Sequence, residues 1–477
     1  MARPDLERRG AAVARGGQRV SETVPAERRR QIISAALEHR LLDAADAPLA
    51  AFMDLDGIAE NVAALQRAFA ESLPDGAGAQ HAFAVKAHSE IPMLRYLHSL
   101  GMGCEVASEG ELAQALRAGV APERIVFDSP AKSVHELEWA LSLGAAVNAD
   151  NFQELDRITR IREELTPESA SVIGIRVNPQ AGVGAIAAMS TAGEHSKFGI
   201  PLRDSGNRAQ LVDAYLERPW LSRLHAHIGS QGFPIELVVE GLNAVIDLAE
   251  EIDERAGERR VVSIDIGGGL AVDFAGEEPR TNWAGYAAAL RQGAPRLFSG
   301  DYDLVTEFGR SVLAKFGFIA AYVEYTKEAG GRRIAITHAG AQVAMRTTFM
   351  PEAWPIRVEA RNADGSPKIA PAEVHDVAGP CCFAGDLVAR ERELPRLDPG
   401  DIVTLLDTGA YYASTGFRYN SLLEPGIYGA RSAEGGIAFE TIRAPETLTA
   451  LLARTPDDTA SVETPDRSRV STAGEAS

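Results

Sequence analysis

The feature that most constrains the fold is an eightfold alternation of short β-rich runs and amphipathic helical runs between residues 82 and 307. This alternation is typical of βα units whose strands pair in parallel. Eight units within about 250 residues predict a closed (β/α)8 TIM barrel, and an open doubly wound sheet is the alternative. The predicted strands lie at residues 82–86, 103–107, 124–128, 145–148, 172–178, 223–229, 261–267 and 303–307.

The pattern of the sequence changes after residue 315. The β-like runs there are short, and few helical patterns separate them. We therefore expect the barrel domain to span 56–315 and a mostly β C-terminal domain to span 316–453. A β-like run at 48–54 precedes the first clear barrel helix, so residues 31–55 are assigned to an N-terminal segment that joins the β domain.

The two ends of the chain differ from the rest in composition. Residues 1–30 are rich in arginine, and residues 454–477 are rich in Thr, Ser, Asp and Pro. Such compositions predict a disordered basic arm and a disordered tail. A short helix is predicted at 32–42.

Net charge and cysteine count restrict the partners and the compartment. The 477 residues carry a net charge of -19, which argues against nucleic acid or an anionic membrane surface as a partner. The sequence contains no apolar run of about 18 residues that would cross a membrane. Three cysteines, two of them adjacent, do not form a disulfide framework and favour a reducing cytoplasm.

Polar and glycine residues gather where the predicted barrel strands end. In barrel enzymes the active site lies at the C-terminal ends of the strands, so this placement predicts a single site. The residues concerned are Lys86, Glu105, Ser108, Arg176, Asn178, His227, Gly229, Ser230, Gly267, Gly268, Gly269, Glu307, Gly309 and Arg310.

Lys86 ends the first predicted strand, where a buried lysine is costly unless it is paired or used covalently. One interpretation is a nucleophilic amine that forms a Schiff base, with a pKa lowered by burial and by nearby cations. The alternative is a structural lysine whose amine extends from the barrel mouth into solvent.

The loops after the seventh and eighth strands carry Gly267–Gly269 and Gly309-Arg310. Barrels often bind phosphate in these two loops, although a tight turn also explains three glycines. Glu307 could pair with a protonated ring nitrogen or cap a helix. His227 could stack on a flat ring or be a core histidine bonded to the backbone.

Taken together, these motifs resemble the alanine-racemase-type barrel family of pyridoxal-phosphate enzymes, fold type III, on its decarboxylase branch. Within that branch the sequence is most similar to the diaminopimelate decarboxylases, over roughly residues 48–430. The segments that carry the resemblance are Ala-Val-Lys-Ala at 84–87, Gly-Cys-Glu-Val-Ala-Ser-Glu-Gly-Glu-Leu at 103–112, Ile-Arg-Val-Asn-Pro at 175–179, Ser-Lys-Phe-Gly at 196–199, His-Ala-His-Ile-Gly-Ser-Gln at 225–231, Asp-Ile-Gly-Gly-Gly-Leu at 265–270, Glu-Phe-Gly-Arg at 307–310, Gly-Pro-Cys-Cys at 379–382, Gly-Asp at 385–386 and Gly-Ala-Tyr at 409–411.

The resemblance implies pyridoxal 5'-phosphate as cofactor and no metal. Lys86 would hold the cofactor covalently, and Cys382 would protonate the carbanion left by carbon dioxide. It also implies a homodimer with shared sites, because the family's loop cysteine reaches the partner's barrel. The residues implied around the cofactor are Lys86, His227, Ser230, Gly267, Gly268, Gly269, Glu307, Gly309, Arg310 and Tyr411, and those implied around the substrate are Arg310, Arg346, Phe383 and Tyr411.

Departures from the family pattern concern the substrate more than the cofactor. The family's arginine in the strand after the barrel matches Arg346, but Phe383 replaces an acidic residue that helps to bind the far end of the substrate. Met350 replaces a tyrosine. An apolar pocket suits a charged distal ammonium poorly, so we expect an amino-acid substrate other than meso-diaminopimelate.

The resulting hypothesis is a pyridoxal-phosphate-dependent amino-acid decarboxylase with an altered distal pocket. One alternative is an amino-acid racemase on the same scaffold, with Lys86 as one of two bases. Another is a cofactor-binding protein with little catalysis. A Schiff-base aldolase without pyridoxal phosphate is the last.

Overall fold

The computed structural model describes residues 24–455, except 165–167, 183–190, 232 and 279–280. Residues 1–23 of the predicted arm and 456–477 of the predicted tail lie outside the described residues. The strands are, in chain order, β1 (Leu49–Asp54), β2 (Ala79–Ala84), β3 (Gly103–Val106), β4 (Ile125–Phe127), β5 (Ala146–Ala149), β6 (Ile173–Asn178), β7 (Ile200–Pro201), β8 (Leu221–His225), β9 (Ser263–Asp265), β10 (Asp303–Thr306), β11 (Gly317–Ala329), β12 (Arg332–Thr337), β13 (Val358–Arg361), β14 (Ala372–Ala378), β15 (Leu387–Pro395), β16 (Ile402–Leu405), β17 (Gly426–Ala433) and β18 (Gly436–Arg443). The α-helices are α1 (Val24–Glu38), α2 (Leu55–Ala70), α3 (Ile91–Ser99), α4 (Glu109–Arg117), α5 (Val134–Leu143), α6 (Phe152–Glu164), α7 (Asn207–Glu217), α8 (Ile235–Ala256), α9 (Trp283–Gly293), α10 (Arg310–Leu313), α11 (Ala341–Phe349) and α12 (Leu448–Leu452).

Eight parallel strands close into a barrel. The hydrogen-bonded order is β2, β3, β4, β5, β6, β8, β9 and β10, and β10 pairs back onto β2. Each of the eight predicted runs contributes one of these strands, so the predicted closed barrel is confirmed and the open sheet is excluded. The polar ends of the strands therefore meet at one mouth.

The barrel helices follow ordinary helix rules. Helix α5 begins with a capping box in which Ser133 and Glu136 satisfy each other's backbone N–H groups, and it ends at Gly144 in the left-handed region (φ 83°). Helix α2 buries Ile58, Val62 and other apolar residues at intervals of three and four. These spacings turn one face of each helix toward the barrel.

The second domain is a mixed β-sheet in which β1 takes a central place. Strand β1 pairs antiparallel with β11 and parallel with β17, so a segment from before the barrel lies inside the C-terminal sheet. The rest of the sheet runs through β12, β14 and β15 on one side and β18 on the other. The loop that follows β16 reaches the barrel mouth, where Ser414 Oγ donates to the carbonyl of Lys86 at 2.7 Å.

The N-terminal helix corrects the sequence prediction. Helix α1 begins at Val24, so its first two turns occupy part of the segment predicted as a disordered arm. Its arginines are paired, since Arg28 binds Asp54 at 3.0 Å and Arg29 binds Glu359. Ile32 is fully buried. Tertiary ion pairs thus order a segment whose composition alone reads as disordered. No helix among the described residues is long and apolar enough to cross a membrane.

Candidate active site

Lys86 lies one residue beyond the end of β2, in a single helical turn over Val85–Ala87. Its Nζ is 2.6 Å from Oε2 of Glu105, whose side chain is 1% exposed, whereas the lysine side chain is 40% exposed at the barrel mouth. Burial alone would lower the pKa of Lys86, but the carboxylates of Glu105 and Glu307 outweigh it, and the pKa is raised. The lowered pKa expected from the sequence is therefore wrong, because the motifs placed Glu105 and Glu307 at strand ends but did not give their net effect on the lysine.

Glu307 faces two histidines across the mouth. Its Oε2 atom is 3.5 Å from Nδ1 of His227 and 3.5 Å from Nε2 of His225. Burial by itself would raise the pKa of Glu307, but His225 lowers it well below its ordinary value. The site therefore contains an ionised carboxylate, although the side chain is 1% exposed.

The Gly267–Gly269 loop packs directly against the strand-eight loop. The backbone N–H of Glu307 donates to the carbonyl of Gly267 at 2.7 Å. A Cβ added at Gly268 would lie 2.3 Å from the carbonyl oxygen of Glu307, and one at Gly269 would lie 2.0 Å from that of Gly229. These distances leave room for glycine alone. Ser230 follows Gly229, so it enters the same loop region.

Arg310 and Arg346 are held between the same two aromatic rings. The guanidinium carbon of Arg310 is 4.4 Å from the Tyr411 ring centroid and 4.6 Å from that of Trp354. For Arg346 the corresponding distances are 4.5 and 5.1 Å. Tyr411 adopts a left-handed backbone (φ 64°), which is strained for a side chain of this size.

These two arginines are arranged to receive an anion. Burial and the neighbouring Arg346 lower the pKa of Arg310 to about 10. Among the described residues, Nε and Nη2 of Arg310 and Nη1 of Arg346 have no hydrogen-bond partner. Buried guanidinium groups without an acceptor are costly, and a carboxylate or phosphate would satisfy them.

One pocket brings four predicted residues together, Lys86, Ser108, Arg346 and Tyr411. Arg346 was expected on a strand, but it lies on α11, because the chain leaves the sheet after β12. The lining residues that the sequence analysis did not select are Ser89, Gly110, Glu111, Gln114, Ser414 and Thr415.

Cys382 and Phe383 lie outside that lining. Cys382 is exposed, and its backbone N–H donates to Asn420 at 2.8 Å. Phe383 stacks on Phe349 with ring centroids 5.5 Å apart and an interplanar angle of 3°. It also contacts Tyr419 edge to face. The structure thus separates the cysteine loop from the Lys86 pocket of the same chain.

Sequence reasoning missed the charged residues inside the barrel. Asp128 and His225 are 5% and 0% exposed, and Asp265 is fully buried. Their roles depend on which strands are neighbours across the barrel, which no single motif shows. The signal that was available is His-Ala-His at 225–227, since alternate residues of a strand share a face.

His225, His227 and Glu307 are also residue types that bind metals, and their ligand atoms lie within 4.8 Å of one another. Three of these nitrogens already face other groups of the chain, however. Nδ1 of His227 accepts from the N–H of Gly268 at 3.3 Å, and His225 faces Asp128 on one side and Glu307 on the other. This arrangement is that of an ion-pair network.

A closed parallel barrel with an accessible lysine, an ionised carboxylate and a glycine loop at its mouth defines a class of barrel enzymes whose lysine can react with a carbonyl group. The comparisons specify the family. Residues 59–314 match the model of the pyridoxal-dependent decarboxylase, pyridoxal binding domain, and residues 244–409 match the C-terminal sheet domain of pyridoxal-dependent decarboxylases. The chain belongs to this family and is a pyridoxal-phosphate-dependent amino-acid decarboxylase, as the resemblance predicted.

Known relatives are similar to this protein over most of the chain. The diaminopimelate decarboxylase of Archaeoglobus fulgidus is 32% identical over 343 residues, which are 71% of this chain and 78% of the relative. That of Pseudomonas aeruginosa is 32% identical over 366 residues, 76% and 83% of the two chains. The structure of the Helicobacter pylori diaminopimelate decarboxylase complexed with L-lysine matches with a TM-score of 0.75 and 27% identity, over 87% of this chain and 98% of that one.

The residues present fit pyridoxal phosphate. Oε1 of Glu307 is buried and has no hydrogen-bond partner among the described residues, so it can accept from a protonated ring nitrogen. The unpartnered nitrogens of Arg310 can donate to a phosphate. Lys86 keeps part of its side chain exposed toward the same space.

Proposed function

We propose that the residues at the barrel mouth hold the cofactor as the resemblance implies. Lys86 binds its carbonyl carbon covalently, Glu307 accepts a hydrogen bond from its ring nitrogen and His227 lies against the ring face. The buried, unpartnered Oε1 of Glu307 is the single observation that carries this assignment. The residues assigned to the phosphate are Ser230, Gly267, Gly268, Gly269, Gly309, Arg310 and Tyr411.

Catalysis divides between the cofactor and the chain. When bound, pyridoxal phosphate supplies an electron-withdrawing ring that stabilises the negative charge left as carbon dioxide departs. Glu307 keeps the ring nitrogen protonated, and Arg346 and Arg310 offer positive charge to a substrate carboxylate. Cys382 delivers a proton to the substrate α carbon, for which a thiol is a workable acid.

We further propose a homodimer with shared sites. Cys382 is exposed and lies outside the pocket of its own Lys86, so a second copy would have to bring it there. Two exposed apolar residues near the same loop, Phe349 at 53% and Met350 at 47%, support an interface. The cytoplasm is the proposed location, since all three cysteines are free.

The substrate is an amino acid whose far end is not a free ammonium. Phe383 lies in an aromatic cluster with Phe349, Phe417 and Tyr419. Its ring stacks on Phe349 and offers no carboxylate to pair with a desolvated ammonium. The relatives are named for diaminopimelate, which carries such a group, so this chain would differ from them in its distal pocket.

A substrate panel with a designed variant tests this proposal. Carbon dioxide release is measured for meso-diaminopimelate and for amino acids of similar length without the second amine, using the wild type and Phe383→Glu. We expect the variant to gain activity on meso-diaminopimelate, because the carboxylate would pair with the distal ammonium. Tyr325→Glu is the matched control, since Tyr325 is 63% exposed on β11.

The outcomes separate the possibilities. A wild type that prefers meso-diaminopimelate, together with a Phe383→Glu variant that behaves like the control, would refute the altered pocket. A product that keeps its carboxylate and changes its chirality would instead establish the racemase.

A further inference from the structure

His225 ends strand β8 and is an ionisable group near the mouth whose side chain is 0% exposed. Its Nδ1 is 3.4 Å from Oδ2 of Asp128, and its Nε2 is 3.5 Å from Oε2 of Glu307. The ring thus bridges two buried carboxylates. None of the roles proposed above uses this bridge.

The two histidines beside Glu307 have different surroundings. Nδ1 of His227 lies 3.3 Å from the backbone N–H of Gly268 and 3.5 Å from Oε2 of Glu307. Burial lowers the pKa of His227. Of the two rings, His225 is the one with a carboxylate against each nitrogen.

Asp128 is held in place by a second cation, Arg176. Nη1 of Arg176 on β6 lies 2.9 Å from Oδ2 of Asp128, and both side chains are buried. The guanidinium of Arg176 also lies over the Phe198 ring at 4.5 Å. A line of alternating charges therefore runs from Arg176 through Asp128 and His225 to Glu307.

The pKa shifts of the charged groups in this cluster show how His225 and the two carboxylates that it bridges affect one another. The carboxylates of Asp128 and Glu307 overcome the effect of burial and raise the pKa of His225 well above its ordinary value. Burial raises the pKa of Glu105, which faces Lys86, to about 8. Burial and Glu307 raise the pKa of Asp265, beside Arg223, to about 7.

Asp128 and Glu307 each lie within 3.5 Å of a nitrogen of the His225 ring. Both carboxylates have lowered pKa values despite burial. An imidazolium at this distance stabilises the ionised form of each carboxylate.

We propose that His225 is a positioning residue: held protonated by Asp128, it keeps Glu307 ionised and aims the Glu307 carboxylate at the ring nitrogen of the cofactor. The proposal rests on the proposed function, because it assumes that Glu307 contacts that nitrogen. His225 itself does not touch the substrate. A buried cation behind a carboxylate avoids the cost of burying that charge alone.

The first test uses the full chain without cofactor. NMR of isotope-labelled histidine follows ring protonation from about pH 6 to about pH 9, across the range in which an ordinary histidine loses its proton. We expect the His225 signal, assigned by its loss in His225→Gln, to stay that of a doubly protonated ring. In Asp128→Asn the same signal should titrate. A neutral His225 ring near pH 7 in the wild type would overturn the proposal.

The second test uses the loaded enzyme. His225→Gln retains a donor but not the charge, so we expect kcat to fall by about tenfold to a hundredfold while KM changes little. Its visible cofactor band should also become pH-dependent, as Glu307 takes up a proton. His81→Gln is the matched control, since His81 is a buried barrel histidine that hydrogen-bonds Thr306 at 2.8 Å.

The two tests fail in different ways. If His225→Gln keeps the wild-type kcat and a pH-independent band, His225 does not position Glu307. If the wild type binds no pyridoxal phosphate, the assignment of the site fails, while the NMR titration still reports whether His225 is the buried cation.

Discussion

At the scale of single residues, His88 offers a clear test of burial. It is 2% exposed, and neither ring nitrogen has a hydrogen-bond partner among the described residues. Burial, with a contribution from Arg443, lowers the pKa of His88 to about 4. The folded chain therefore binds this proton more weakly than the unfolded chain does. The neutral, buried His88 therefore contributes fully to folding stability above about pH 6.5, and this contribution is lost as the pH falls toward 4.

We expect His88→Gln to weaken this dependence. The difference between the two pKa values corresponds to at most about 3 kcal/mol of unfolding free energy. Denaturant unfolding of the apoprotein at several pH values between about 4 and about 6.5 measures how steeply the unfolding free energy depends on pH. The half-buried His98 on α3 gives the control His98→Gln. An unchanged slope in His88→Gln would show that other groups control acid unfolding.

Lys86 shows what sequence can and cannot supply at this scale. Its position after a buried strand and its Ala-Val-Lys-Ala context predict a functional lysine. The sign of its pKa shift depends on Glu105, which lies on the adjacent strand at 2.6 Å. Motif reasoning places residues at strand ends but does not give the net effect of opposing charges.

At the scale of elements, the glycine loop after β9 depends on close backbone contact. A Cβ at Gly268 would meet the Glu307 carbonyl at 2.3 Å, so Gly268→Ala must displace the loop or the carboxylate. We expect the affinity for pyridoxal phosphate to fall by about tenfold or more, because small displacements of a site are costly. Equilibrium titration of the visible band measures this affinity.

Gly78→Ala is the matched control for this substitution. A Cβ at Gly78 meets no heavy atom within 4 Å, and its backbone lies outside the left-handed region. Its effect on stability should stay within about 0.5 kcal/mol. Wild-type cofactor affinity in Gly268→Ala would contradict the place given to this loop.

Elements with local signals were predictable, and elements that depend on tertiary contacts were not. The eight strands and capped helices such as α5 follow from periodicity and capping residues. Helix α1 begins earlier than predicted, because its arginines pair with Asp54 and Glu359 from distant parts of the chain. Arg346 lies on a helix instead of a strand, because the chain leaves the sheet after β12. This helix, α11, is short and has a non-helical backbone at Ala344.

At the scale of the whole molecule, shared sites predict complementation. Lys86→Ala and Cys382→Ala should each be inactive. If the cysteine acts in the partner's barrel, half of the randomly mixed dimers contain one intact site, so mixing restores up to about a quarter of the activity. Decarboxylation after dissociation and reassociation of the two variants measures this recovery. Activity that never exceeds that of the separate variants would contradict the shared site.

The central claim is that Lys86 carries the cofactor, and chemical trapping tests it most directly. Borohydride reduction of the loaded enzyme makes the bond between lysine and cofactor permanent, and peptide mass spectrometry locates it. We predict a pyridoxyl group on Lys86 and loss of the visible band in Lys86→Ala. A pyridoxyl group on another lysine, or an unmodified Lys86 in a protein that retains its band, would contradict the account.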